Sequence, residues 1–547
     1  MKVKFIVILF LVQVNFYVAQ AQKGAPANWF NLDPKKDKVY GVGTEKAYTE
    51  LLKNKKSKTV IVAVIDGGTE PTHEDLKGVI WVNANEIPGN GIDDDHNGYI
   101  DDVNGWNFIG GKNGEDVNED NLEVTRVYAK YKSKYEKADT TNFSATDKFE
   151  YYHYLKAKKD FLKGRQEAKM YSMVYDNIVK GIDGIKKNIG KEKIFLADLK
   201  KYKPSDPYET MAQNIIQNSF GKRLKLADTI PFYELLNEIS EGQKHFEKEI
   251  KFNYNTDLDT RKIVGDNYDD VTEKYYGNND VKGPSGGHGT HVAGIIGAIR
   301  NNSIGMKGVA DNVRIMIVRV VPDGDERDKD VANGIRYAVD NGATVINMSF
   351  GKGFSGNKKI VDDAVKYAVS KDVVIVHAAG NDSHNNDFED NFPTPYYESK
   401  SGRASSWIEV GASTWLDKKY LAATFSNYGK NTVDVFAPGL NIYSTVPDSK
   451  YATYDGTSMA SPVTAGCAAL IRSYYPELSA VQVKEIISKS VTKINGKVVL
   501  PGSRRQKVKF LPFLHKQEKI KFSELCTSGG IVNVYDALKL AETYSKK

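Results

Sequence analysis

Three short stretches of this 547-residue chain set a reactive side chain among glycines or at the end of an apolar run. The first is Asp66, which follows Val-Ile-Val-Ala-Val-Ile at 60–65 and precedes Gly67-Gly68. A buried strand of that composition delivers its carboxylate to the C-terminal end of a sheet, where ligands bind in open α/β folds. Alone, the residue reads more readily as a turn or helix-capping Asp than as a catalytic one. The second is Gly286-Gly287-His288-Gly289-Thr290-His291-Val292-Ala293-Gly294, a glycine-opened helix with an imidazole in its first turn. A helical zinc pair has histidines four apart with a Glu between them, and this string has neither, so His291 is expected to be structural. The third is Asp455-Gly456-Thr457-Ser458-Met459-Ala460-Ser461-Pro462, ahead of the run Val463 to Ile471. Ser458 falls at a helix start, whose dipole favours the negative charge that develops when a hydroxyl attacks a carbonyl. An ordinary N-cap serine is the competing reading. Pro462 is read as lying in the first turn, where N–H groups lack helical acceptors.

In combination the three supply a nucleophile, a base and an orienting acid. Serine is a weak nucleophile unless a neighbouring base takes its proton during attack. His288 can accept that proton near neutral pH and return it to a leaving amine. Asp66 then fixes the ring tautomer and stabilises the imidazolium without itself taking the proton.

A further oxygen-rich string, Asn90-Gly91-Ile92-Asp93-Asp94-Asp95-His96-Asn97-Gly98-Tyr99-Ile100-Asp101-Asp102, reproduces part of an EF-hand loop. Asp93, Asp95 and Asn97 alternate, Gly98 is sixth, the Tyr99 carbonyl seventh and Asp101 ninth, which makes structural calcium the expected ion. The twelfth position is Asn104, where that loop has a bidentate Glu, and a solvated acidic turn is the alternative.

The sequence resembles the subtilisin-like serine proteases, the subtilases. The resemblance rests on Asp66 after its Val/Ile strand, on Gly-His-Gly-Thr-His-Val-Ala-Gly and on Gly-Thr-Ser-Met-Ala-Ser-Pro, in the order Asp, His, Ser. It extends to Ala378-Ala379-Gly380-Asn381, Asn347-Met348-Ser349-Phe350-Gly351, Phe436-Ala437-Pro438-Gly439 and Gly530-Ile531-Val532-Asn533-Val534-Tyr535. It implies that Asp66, His288 and Ser458 are catalytic and that Asn381 donates its amide to the oxyanion. It also implies that Ser349, Phe350, Gly351, Ala379 and Gly380 bind the substrate backbone. The family's habit of stabilising surface loops with calcium supports the same ion here, and the chemistry itself needs no cofactor.

These side chains need a scaffold, and the apolar pattern supplies one. Short Val/Ile-rich runs at 60–65, 313–321, 344–350 and 373–379, and weaker ones at 407–412 and 433–437, alternate with helical stretches near 288–300, 330–341, 359–370, 458–475, 479–490 and 532–544. That alternation predicts an α/β fold, and the resemblance makes it a three-layer sandwich around a mostly parallel central sheet. Residues 115–275 differ: Lys, Glu, Asp and Tyr dominate, with apolar residues such as Tyr151, Tyr154, Leu155 and Leu162 at helical spacing. They read as a helical insertion, because this density of aromatic and aliphatic residues argues against a disordered linker. The expected organisation is a signal peptide at 1–21, a catalytic domain in two parts at 22–114 and 276–547, and the insertion between them.

Lys2 and Lys4, an apolar run from Phe5 to Val12 and Ala19-Gln20-Ala21 form a secretory signal with cleavage after Ala21. The run is too short to span a bilayer, so an exported protein, periplasmic or extracellular, without stable membrane insertion after cleavage is expected. Between Ala21 and Asp66 there is too little chain for the folded inhibitory prodomain of many secreted relatives. The net charge of +6, from 76 basic against 70 acidic residues, is thinly spread and gives no nucleic-acid footprint. Cys467 and Cys526 could form one bridge or remain a pair of inert buried thiols. The reading is a secreted serine endopeptidase acting on polypeptides. An esterase is disfavoured because GxSxG is absent around Ser458. A catalytically silent polypeptide-binding module on the same scaffold is the rival from another class.

Overall fold

The computed structural model describes residues 24–191, 194–220, 232–398, 401–503, 506–508 and 511–546. The signal stretch 1–21 lies outside these residues. The chain divides into two compact units, one containing Val124–Leu258 and the other Ala27–Glu123 with Asp259–Lys547.

The second unit holds the strands β1 (Val60–Asp66), β2 (Gly105–Asn107), β3 (Val313–Arg319), β4 (Val345–Met348), β5 (Val374–Ala378), β6 (Trp407–Ser413) and β7 (Val435–Pro438). Then follow the hairpin β8 (Ile442–Val446) and β9 (Lys450–Tyr454), β10 (Thr492–Lys493), β11 (Lys497–Val499), β12 (Gln506–Val508), β13 (Leu511–Lys516), β14 (Lys519–Lys521) and β15 (Gly530–Ile531). Nine of them make one sheet in the order β10-β15-β7-β6-β5-β4-β1-β3-β2. Every neighbouring pair in it is parallel except β10 with β15. Helices cover both faces, as an all-parallel core requires. On one face Gly334 of the helix Asp328–Asp340 stands against Ile65, Val318 and Val320. On the other, Gly297 of the helix Gly287–Gly297 stands against Val313 and Ile315. The result is a three-layer α/β sandwich, and β1 at its centre is buried on both sides.

The stretch ahead of β1 is built into this unit. Trp29 is 1% exposed and its indole N–H donates to the Leu440 carbonyl at 3.1 Å. Further along, the Val42 carbonyl accepts from Val534 N at 2.8 Å. Residues 115–123 and 259–275 also belong to the sheet unit, because their charges are satisfied there. Asp116 meets Arg319, Asp120 meets Arg327, and Arg261 pairs with Asp266 and Asp330.

The Val124–Leu258 unit is helical, with a 45-residue helix, Ala145–Ile189, started by a Ser144 capping box. Its core gathers Ile178, Ile182, Ile185, Leu199, Ala212, Ile216 and Ile239. The buried stripe differs from the expected one. Tyr154, Ala157 and Phe161 face inward, while Leu155 and Leu162 are exposed. The reason is aromatic packing: Tyr128 stacks on Phe161 with ring centres 4.4 Å apart, which sets the rotation of the helix.

Trp29→Ala should cost about 3–5 kcal/mol, the usual range for emptying a buried tryptophan site. Denaturant titration would show a lower midpoint at an unchanged slope. An unchanged midpoint would mean that the segment does not contribute to the fold.

Candidate active site

Asp66 is the last residue of β1, 3% exposed, with its backbone carbonyl held by the N–H groups of Val320 and Val321. Its Oδ1 accepts from Gly67 N at 2.7 Å and lies 2.8 Å from His288 Nδ1. The approach is possible because the two segments meet without side chains. A Cβ on Gly289 would stand 2.2 Å from the Gly68 carbonyl oxygen, so the helix carrying His288 rests directly on the turn after Asp66. Arg319, fully buried at the register position beside Asp66, donates from Nε to the Gly67 carbonyl at 3.1 Å and so fixes that turn.

His288 is 40% exposed in its side chain, open enough for a substrate to reach the ring. Burial acts most strongly on it and opposes the charged form. The charge and hydrogen bond of Asp66 together outweigh burial, and the imidazole titrates above the ordinary histidine value. His291 is its opposite. It is fully buried and stacked on Tyr454, and its Nε2 lies 3.0 Å from the Ile442 carbonyl. Burial pulls its pKa down to about 4, which leaves it a neutral structural ring tying the helix to the β8–β9 hairpin.

Ser458 is the second residue of the helix Thr457–Tyr474. Its hydroxyl donates to the Ser349 carbonyl at 3.1 Å, and among the described residues no hydrogen bond joins it to His288. Ser349 Oγ in turn donates to the Ser458 carbonyl at 2.9 Å and accepts from Asn347 Nδ2, while Asn347 Oδ1 accepts from Ser461. The bond to the Ser458 carbonyl corrects the reading of Pro462. That proline is the sixth helical residue, past the first turn, and its missing N–H is the one that would have capped the Ser458 carbonyl. Ser349 takes its place.

Asn381 follows β5 and Ala379-Gly380. Its Oδ1 accepts from Thr457 N at 2.8 Å and Thr457 Oγ1 at 3.0 Å, which turns Nδ2 outward as a donor. A Cβ on Gly456, whose φ is +154°, would lie 3.5 Å from Ser458 N and 3.7 Å from Asn381 Nδ2. Both donors therefore lie close to Gly456, at the start of the helix that carries Ser458. Ser349, Phe350 and Gly351 continue β4, and Ala379 and Gly380 continue the neighbouring β5, so the two expected backbone-binding stretches extend from adjacent strands.

The oxygen-rich string folds as one loop. Of its expected carboxylate ligands, Asp95 joins Glu86 and Asp102, whose carboxylate oxygens lie within 4.8 Å of one another. Asp93 accepts from Asn97 N and Gly98 N, Asp101 accepts from Gly89, Asn90 and Gly91 N, and the Tyr99 ring packs on Trp106 and Tyr337. Asn97 donates its amide to Asp95 and Asp102. Burial pushes the Asp102 carboxyl up to about 6 despite hydrogen bonds from Tyr337, Asn83 and Asn97. Sequence reasoning missed Glu86 and Asp102 as partners because the loop closes on itself through Asn83. Arg319 was missed as well, although an arginine within Val-Arg-Ile-Met-Ile-Val-Arg is itself a signal of a buried charge with a task. Cys467 and Cys526 are free, buried thiols.

Comparison with known proteins gives the family. The Subtilase family model matches residues 57–506. The chain belongs to the subtilase family. Among its relatives, a thermophilic serine proteinase of Bacillus sp. (strain AK1) is 36% identical over 54% of this chain and 63% of its own length. Thermitase of Thermoactinomyces vulgaris is 41% identical over 43% of this chain and 79% of its own length. Subtilisin DY of Bacillus licheniformis is 41% identical over 38% and 71% respectively. The chain thus spans less than two thirds of the first of these relatives.

In Asp66→Asn only the effect of burial on His288 would remain. The imidazole midpoint should then fall from above the ordinary value of about 6.5 to below it. NMR titration of carbon-labelled histidine would read it, and a midpoint that stayed or rose would contradict the pairing.

Proposed function

We propose that this subtilase is an exported serine endopeptidase that cleaves polypeptides through an acyl-enzyme on Ser458. The observation that carries the reading is the 2.8 Å Asp66–His288 pair, taken together with a serine at the start of the helix Thr457–Tyr474 and an Asn381 carboxamide bonded to that same helix start. On substrate arrival the Ser458 hydroxyl turns from the Ser349 carbonyl toward His288 Nε2, a tightening common between free and substrate-bound enzymes. Oγ bonds to the scissile carbonyl carbon and its proton passes to His288, while Ser458 N–H and Asn381 Nδ2 hold the oxyanion. The C–N bond then breaks, the amine leaves with the proton from His288, and water reverses the sequence to free the acid. Since only neutral imidazole can accept the proton, kcat/KM should rise with pH through the elevated His288 midpoint.

Export rests on the N-terminal signal pattern. Among the described residues no helix is long and apolar enough to cross a membrane. A fluorophosphonate probe tests the chemistry. Wild type should label one-to-one and Ser458→Ala not at all. Folded wild-type protein that resists labelling would instead favour a silent polypeptide-binding module.

Glu86, Asp95 and Asp102 form an all-oxygen, partly buried donor set of the kind that suits calcium rather than zinc. Such an ion would offset the repulsion of three gathered carboxylates and hold the loop. If so, calcium at a hundredfold excess over its Kd adds about 2.7 kcal/mol of stability. Calorimetry should show Tm rising with calcium in wild type and not in Glu86→Gln/Asp95→Asn. An equal response in both would place any binding elsewhere.

A further inference from the structure

We propose that the helix Ala145–Ile189 docks on an anionic phospholipid surface through its outward face, holding the protein at a membrane without crossing it. The inference stands on this helical unit alone and does not depend on the reaction at Ser458.

At 3.6 residues per turn, Tyr152, Leu155, Leu162, Met170 and Met173 fall within an arc of about 80°. All five are exposed, Tyr152 at 67% and Met173 at 60%. The arc points away from the buried stripe of Tyr154, Ala157, Phe161 and Ala168, so packing within the unit leaves these side chains in water. Exposed apolar residues scattered singly call for no explanation, but five aligned along about 32 Å of one helix do.

Lysines occupy the gaps between them. Lys148, Lys159, Lys163 and Lys169 are exposed and fall within about 60° of the midline of the arc. The acidic residues of the same stretch, Glu150, Asp160 and Glu167, lie about 100° or more from that line. Lys134 and Lys158 are paired inside the unit, with Glu150 and Glu136 respectively. Among the described residues the four outward lysines join no ion pair. Residues 124–258 together hold 26 Lys and Arg against 19 Asp and Glu, a larger surplus than the net +6 of the whole chain. The positive charge is therefore concentrated in this unit.

A bilayer with anionic headgroups satisfies both properties of the face. Leucine, methionine and tyrosine side chains enter the boundary between headgroups and acyl chains, while lysine stems lie beside them and carry their ammonium groups to the phosphates. A second copy of the chain would set lysines against lysines. A nucleic acid would meet the charge but leave the aliphatic side chains in water, since bases stack on aromatic rings and Tyr152 is the one ring in the arc. A single convex helix also needs no groove to lie on a membrane. Among the described residues no helix is long and apolar enough to cross one, so the contact is peripheral.

Sedimentation of the full chain with vesicles tests the proposal. Phosphatidylcholine vesicles containing about 30% phosphatidylglycerol should bind wild type at least about tenfold more tightly than phosphatidylcholine alone, and high salt should remove the difference. Lys159→Gln/Lys163→Gln should weaken binding to the anionic vesicles by roughly 30-fold. Leu155→Ser/Leu162→Ser should weaken it by roughly tenfold, with circular dichroism showing that the helices persist. Equal binding of wild type to both vesicles would overturn the proposal, and that comparison needs no variant. Folded variants that bind like wild type would overturn it too. So would tighter binding to a single-stranded oligonucleotide that the leucine variant retains, or self-association that the leucine variant loses.

Discussion

The arrangement depends on one short approach: an aspartate and a histidine 222 positions apart in sequence sit 2.8 Å apart in space. Here that distance is reached where the segments bearing the two side chains touch backbone to backbone. Gly289 against the Gly68 carbonyl provides the touch, and the buried Arg319 guanidinium holds the turn from behind. The same contact sets the electrostatics. Burial alone would lower the His288 pKa, and the charge and hydrogen bond of the adjacent carboxylate raise it above the ordinary histidine value. The ring keeps part of its surface exposed.

The stretch of chain between Asp66 and His288 includes the whole Val124–Leu258 unit, yet the pair does not depend on how long that stretch is. The points where the chain leaves and rejoins the sheet unit are fixed within it. Glu123 meets the Lys352 ammonium, and Arg261 is bound by Asp266 and Asp330. Losing one member of such a buried pair leaves an uncompensated charge, a penalty of about 3–5 kcal/mol. Because loop closure grows only with the logarithm of length, an anchored exit and return tolerate a large insertion at small cost.

How much of this was legible in the sequence depended on whether the deciding contact was local. The run at 60–65 and the five later ones became β1 and β3 to β7, since a strand buried on both faces needs only uninterrupted apolar residues. The helix starts near His288 and Ser458 were marked by their own glycines and hydroxyls. Properties set by distant partners were not legible. The face that Ala145–Ile189 buries depends on Tyr128, the exception at Pro462 depends on Ser349, and the carboxylate cluster draws Glu86 from outside the string that drew attention.

The centre of the site shows what the local contacts do settle. Ser458, His288, Asp66 and Asn381 are each fixed by hydrogen bonds of 2.7 to 3.1 Å to the ends of strands or the starts of helices. In the proposed reaction these groups would act as a unit, so that displacing any one of them by about an ångström would slow it about a hundredfold, and their losses would not add.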